Sequence, residues 1–147
     1  SRCMLSYLQS SEDCFAESLL AEPRWRGRRV LELGCGCGLV TLSLARWGCR
    51  EVTGADDSPV ALALAAASCA EAKVSCEKVR WRRLDWRDLD ACARLREELG
   101  PWDAVVSADC VLAAPPSGPM WRAAGAGACP PEPLLEATKV LARGGAE

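Results

Sequence analysis

Apolar positions along the chain fall into short runs separated by stretches of helical spacing. Arg28 to Leu33, Glu51 to Ala55, Val79 to Leu84 and Asp103 to Ala108 have strand character, the third alternating and the fourth nearly all apolar. Leu39 to Trp47 carries apolar residues at helical spacing and is closed by Gly48, a residue type suited to the position just past a helix. Ser58-Pro59 supplies an N-cap followed by proline at the first helical position, opening an alanine-rich packed helix to about Lys73. Asp90 is expected to cap a helix that runs to Leu99 and stops at Gly100-Pro101. Cys3 to Leu8, Asp13 to Leu20 and Leu134 to Leu141 also have helical spacing.

Strand and helix alternate, and right-handed crossovers between successive strands give a parallel sheet covered on both faces. The fold class is therefore α/β, a doubly wound parallel sheet of about four strands. Residues 1–147 form a single domain, interrupted by a long low-complexity loop over 113–133, "AAPPSGPMWRAAGAGACPPEP".

Composition narrows the class. Half of the 147 residues are hydrophobic and 26% are charged, as in a globular chain with one core. Eighteen basic against twenty acidic residues argue against an extended polyanion-binding surface, so no nucleic-acid partner is expected. No apolar run reaches the roughly 18 residues of a membrane span, and no membrane partner is expected. There are ten cysteines, no Cys-x-x-Cys pair and no histidine, so no metal site is expected. The thiols are taken as reduced, structural and cytoplasmic. The runs "RWRGRR" (24–29) and "RWRR" (80–83) interleave Trp with Arg, but alternating Arg on a turn or strand exit is more often a solvated face.

Candidate chemistry centres on Val30 to Leu39, "VLELGCGCGL". Glycines at a strand-to-helix bend let backbone approach a ligand, and the helix start offers unpaired N–H groups. The spacing is G-x-G-x-G at Gly34, Gly36 and Gly38, and Leu39 stands where the dinucleotide fingerprint has its third glycine. Glu32 lies two residues before the first glycine. Together these favour a ligand without phosphate, carrying an ammonium or sulfonium near an acid. Asp56, at the end of the second strand, suits ribose hydroxyls; in Leu84-Asp85-Trp86, Asp85 suits an adenine amino group and Trp86 a ring face. The plainer alternatives are helix capping for Asp56, Asp85 and Asp88, and core packing for Trp86.

The chain resembles the class I S-adenosylmethionine-dependent methyltransferases, and among them the methyltransferase-like group of protein lysine methyltransferases. The likeness runs from about Leu5 to Leu112, through "VLELGCGCGL", "VTGADDSP", "LDW" and "WDAVVSADCVL". It implies a Rossmann-like sheet with S-adenosyl-L-methionine as cofactor and a protein lysine as methyl acceptor. It places Glu32 near the methionine amino group and Gly34, Cys35, Gly36 and Gly38 around the cofactor. Asp56 then holds the ribose, Asp85 and Trp86 the adenine, and Asp109 faces the methionine part and the incoming nucleophile.

Two departures accompany the likeness. The family's D-x-x-Y signature reads Asp109-Cys-Val-Leu112, with leucine at the aromatic position. The strands also stop short of the family's full sheet, so the sequence is expected to be a truncated domain lacking its C-terminal strands. A catalytically silent cofactor- or partner-binding remnant, or an RNA or small-molecule methyltransferase, is the alternative reading. Cys110 is read as structural, because no base accompanies it.

Overall fold

The computed structural model describes residues 22–108, 110 and 131–142. The helices expected over 3–8 and 13–20, and the loop over 113–130, lie outside these residues. Helix α1 (Glu22–Trp25) precedes strand β1 (Arg29–Leu33), which leads to α2 (Leu39–Arg46). Strand β2 (Glu51–Asp56), α3 (Pro59–Glu71), a 3-10 turn (Cys76–Lys78) and β3 (Val79–Arg83) follow. Helix α4 (Leu89–Leu99), β4 (Ala104–Ser107) and α5 (Pro131–Ala142) complete the order.

The four strands form one sheet in the order β3-β2-β1-β4. Every pairing is parallel, and Leu31 of β1 stands between Thr53 of β2 and Val105 of β4. Chain direction across the sheet reverses at β1, so the crossovers before and after the reversal lie on opposite faces. On one face Val30 and Val52 pack with Trp25, Leu42, Leu44 and Cys69 from α1, α2 and α3. On the other, Leu31 and Leu33 pack with Leu95 and Leu99 of α4 and Leu134 and Leu141 of α5. Leu31, Leu33, Leu44 and Leu141 are fully buried, each stabilising the fold by roughly 1.5–3 kcal/mol. No helix among the described residues is long and apolar enough to cross a membrane.

Local chemistry sets the element ends. Ser58 accepts from the Ala61 N–H at 3.2 Å, and Pro59 occupies the first turn, where an N–H has no helical partner. The α4 cap differs from expectation. Asp88, not Asp90, accepts from the Ala91 N–H at 2.9 Å, because the turn closed by Asp88 N–H on the Asp85 carbonyl starts the helix earlier. Asp90 falls in the first turn, where its charge still complements the helix dipole. Strand β4 is shorter than the expected 103–108; Asp103 stays tied to β1, its N–H donating to the Arg29 carbonyl at 2.8 Å, but its carboxylate rather than its carbonyl accepts from the Arg29 N–H at 2.7 Å.

Two helices also depart from the sequence reading. Helix α3 is less packed than its alanine content suggested: only Ala65 and Cys69 are buried, while Val60 and Leu64 are 67% and 56% exposed. Helix α5 begins at Pro131 rather than Leu134, since proline is compatible with a first turn. Leu134, Ala137 and Leu141 form its buried stripe against α4 and β4.

Candidate functional site

The loop between β1 and α2 is built from three left-handed glycines. Gly34, Gly36 and Gly38 have φ of +68°, +52° and +84°, a region that costs an L-residue roughly 1–2 kcal/mol. Their surroundings differ. A Cβ on Gly34 would overlap Cys110 Sγ and come within 3.3 Å of the Trp86 ring. A Cβ on Gly38 would come within 2.8 Å of the Trp81 ring and 3.1 Å of Ala65. Gly36 has nothing within 4 Å, so the crest of the loop faces open space. The Trp81 indole also fills the volume beside Gly54, which explains why the last glycine stands at 38: α2 starts against an aromatic ring from β3.

Asp56 ties this loop to the tip of β2. One carboxylate oxygen accepts from the Gly36 N–H at 2.9 Å and the other from the Ser58 N–H at 2.9 Å. Each oxygen keeps a second lone pair for a ligand hydroxyl.

Glu32 lies deeper than expected. It is 2% exposed, and its carboxylate accepts from the Thr41 hydroxyl of α2. Burial pushes its carboxyl up to about 7, against the pull of Thr41 and with a further push from Asp56. It therefore sits behind the glycine loop rather than on the crevice wall. Cys35 is buried as well, and burial followed by the Glu32 and Asp56 carboxylates pushes its thiol up to about 12. Its N–H donates to the Ala55 carbonyl at 3.0 Å, so its role is to join the loop to β2.

Asp85 and Trp86 follow β3, whose end is held to β2 by the Leu84 N–H on the Asp56 carbonyl at 3.0 Å. Asp85 is already engaged: Arg87 donates from Nε and from its terminal nitrogen, both at 2.8 Å. These hydrogen bonds hold the Asp85 carboxyl below its ordinary value. Arg87 also lies 3.7 Å from the Asp57 carboxylate. Asp57, Asp85, Trp86 and Arg87 line an open cavity of about 180 Å³. The Trp86 indole packs beside Gly34, and its buried Nε1 makes no hydrogen bond among the described residues.

The tips of β1 and β4 meet through Cys110, whose Sγ donates to the Leu33 carbonyl at 3.2 Å and the Ala108 carbonyl at 3.4 Å. The structure thus gathers Glu32, Gly34, Cys35, Gly36, Gly38 and Asp56 into one connected loop, with Asp85 and Trp86 adjoining it. All lie along the carboxyl edge of the sheet, beside the point where strand order reverses, the usual ligand crevice of such sheets. Asp109 and Leu112 lie outside the described residues. Thr41, Trp81 and Arg87 were not anticipated. Arg87, a cation two residues after an acid at a strand exit, was the one with a visible signal.

The cradle fits an adenosyl sulfonium on three counts: an unobstructed main-chain crest at Gly36, a carboxylate at Asp56 with spare lone pairs, and an aromatic-walled cavity beside Asp85. In the comparisons with known proteins, residues 30–126 match the family described as "Methyltransferase domain". A curated relative, the electron transfer flavoprotein beta subunit lysine methyltransferase of Xenopus laevis, is 35% identical over 85 residues. That alignment covers 57% of this chain and 30% of the relative. A candidate RNA methyltransferase from Pyrococcus horikoshii superposes with a TM-score of 0.55 at 18% identity, over 84% of this chain and 50% of the other; it bears on fold alone. The magnesium protoporphyrin IX methyltransferase of Synechocystis, solved with bound SAH, gives a TM-score of 0.50 at 25% identity, over 63% and 37% of the two chains.

Proposed function

We propose, from the premise that this chain belongs to the methyltransferase domain family, that it binds S-adenosylmethionine at the carboxyl edge of its sheet and serves methyl transfer to a protein lysine. The observation that carries the cofactor reading is the Gly36–Asp56 hydrogen bond. It fixes a side-chain-free main chain beside a carboxylate at the reversal of strand order, where ribose hydroxyls need an acceptor and the sulfonium beside them an unobstructed berth. Asp56 holds ribose hydroxyls, Gly34 to Gly38 line the methionine side, and Asp85 with Trp86 takes the adenine.

The cofactor supplies a methyl group on a sulfonium that is ready for displacement. The chain's residues orient the reactants and exclude water, and orientation alone contributes roughly 7–11 kcal/mol to such reactions. Asp109 is proposed to face the incoming amine and guide loss of its proton, in keeping with its place one residue before Cys110. The lysine assignment is supported by the Xenopus relative, of whose length the alignment spans 30%. Leu112, in place of an aromatic residue, favours a second reading in which the domain binds cofactor without turning over.

Calorimetric titration with S-adenosylmethionine and S-adenosylhomocysteine, with NAD as a control ligand, tests the cofactor reading that both share. Heat with both adenosyl ligands and none with NAD is expected, and a folded sample that gives no heat with either adenosyl ligand overturns the cofactor reading. Radiolabelled methyl transfer into lysine in a cell extract, with Asp109→Ala as control, then separates enzyme from silent binder.

A further inference from the structure

The near-neutral net charge conceals a segregated surface at the opposite edge of the sheet. The turn from α1 into β1 carries Arg24, Arg26 and Arg28, and the turn from α2 into β2 carries Arg46 and Arg50. Main-chain hydrogen bonds lock the two turns together: Gly27 N–H to the Gly48 carbonyl at 2.8 Å, and Arg50 N–H to the Arg28 carbonyl at 2.8 Å. The Arg26 side chain lies against Gly48. Arg46 reaches the Ala72 carbonyl at 3.0 Å, which brings the end of α3 and Lys73 to the same rim. All five arginines are exposed, and none makes an ion pair among the described residues.

The second arginine run behaves differently. Arg80 pairs with Glu51, Arg82 with Glu98, and Arg83 donates to the Asp57 carbonyl. Within the "RWRGRR" run Arg29 pairs with Glu51, but Arg24, Arg26 and Arg28 are spread over a surface with Trp25 buried beneath it as an anchor. Two acids near this rim are committed, while Glu71, at the end of α3 beside Ala72, is exposed and makes no ion pair among the described residues. Glu51 is bridged by Arg29 and Arg80, and the Asp103 carboxylate accepts from the Arg29 N–H. Arg28 donates to the Arg24 carbonyl at 2.8 Å, and the concentrated guanidinium groups, free of ion pairs among the described residues, form a positive patch on a locked scaffold suited to contacts with carboxylates.

We infer that this arginine rim, on the sheet edge opposite the cofactor crevice, is a docking surface for an acidic patch on a partner protein. The patch spans only two turns, and the chain as a whole carries net charge −2. An extended polyanion would run beyond so small a patch, whereas a compact cluster of Asp and Glu on a folded partner matches it in size. The inference does not depend on the cofactor reading, because none of the rim residues belongs to the glycine loop or its acids.

Fluorescence anisotropy of the full chain with a labelled oligoglutamate peptide tests it, with an oligonucleotide of equal charge run in parallel. The expected result is peptide binding that weakens steadily with added salt. It should fall by roughly tenfold or more in R24E/R26E/R28E, since exposed pairs are individually weak but act together here. A second variant, R46E/R50E, on the other turn should weaken binding in the same direction. The circular dichroism spectrum and a cooperative denaturant melt should be kept in both variants, which shows that the fold is intact. Absence of peptide binding at low salt, binding indifferent to both reversals, or tighter binding of the oligonucleotide overturns the inference.

Discussion

The Thr41 hydroxyl donates to the Glu32 carboxylate beneath the glycine loop, and this buried pair makes the cofactor-binding edge sensitive to pH. Burial raises the Glu32 carboxyl from its ordinary 4.5 to about 7. Below pH 4.5 the folded and unfolded chains both hold the proton. Between 4.5 and about 7 the unfolded chain releases it while the folded chain keeps it, so stability falls as pH rises. Above about 7 the folded carboxyl ionises too, and the loss levels off at about 3 kcal/mol. Chemical denaturation from pH 4.5 to 8 should show this decline, and Glu32→Gln should remove the Glu32 share of it. An unchanged slope in that variant would assign the decline to other groups.

Thr41→Val takes away the one side-chain donor that faces Glu32 among the described residues. The variant should lose about 1–3 kcal/mol at pH 8, where the carboxyl is ionised, and less at pH 5, where it is protonated. Equal losses at the two pH values would mean that the valine acts through packing alone.

Gly34 and Gly36 separate folding from ligand access. Gly34→Ala meets Cys110 and Trp86 as well as an unfavourable φ, and should cost about 3 kcal/mol or more in thermal or denaturant unfolding. Gly36→Ala meets nothing within 4 Å and should cost only the backbone strain of about 1–2 kcal/mol. Its methyl group projects into the berth, however, so S-adenosylhomocysteine affinity should fall far more than stability. A Gly36→Ala variant that binds normally would move the ligand off the loop crest.

Asp56 supports two main-chain N–H groups at 2.9 Å each. Asp56→Ala should weaken S-adenosylhomocysteine binding by roughly tenfold or more and destabilise the chain by about 1–3 kcal/mol. Asp56→Asn, which keeps one oxygen, should fall between the two. Calorimetric titration beside denaturant melts reads both effects.

Arg87 occupies the Asp85 carboxylate that the adenine amino group is proposed to use. Both side chains are largely exposed, so the pair is weak and screened by salt. Arg87→Ala should therefore tighten adenosyl-ligand binding by roughly two- to fivefold, with the gain shrinking as salt rises. Weaker binding in this variant would instead make Arg87 part of the adenine contact.

The elements most legible in sequence were those fixed by local chemistry. Ser58-Pro59 opens α3, Gly48 closes α2, and the apolar runs mark β1 and β2, because capping, positive φ and strand burial each leave a short-range trace. The α4 cap stayed open between Asp90 and the alternatives Asp85 and Asp88, all competent caps, and only the tertiary path out of β3 selects Asp88. The acids of the site were identifiable from their positions at strand ends. Their states were not: the depth of Glu32 depends on Thr41 in another element, and the engagement of Asp85 on a turn closing back on itself. Trp81 was legible only as one member of an alternating strand. Its service to both Gly38 and Gly54 follows from the register of β2 with β3, where Gly54 pairs with Trp81.

Strand order also governs when the crevice comes into being. Val30 of β1 pairs with Ala104 of β4, so its two walls are made by segments far apart along the chain. A polypeptide emerging from the ribosome can complete β1 through β3 and still lack a finished berth, because the wall carrying Cys110 has yet to dock. A ligand that grips both walls therefore rewards the docking of β4, and its presence during synthesis would favour chains in which that strand has found its place.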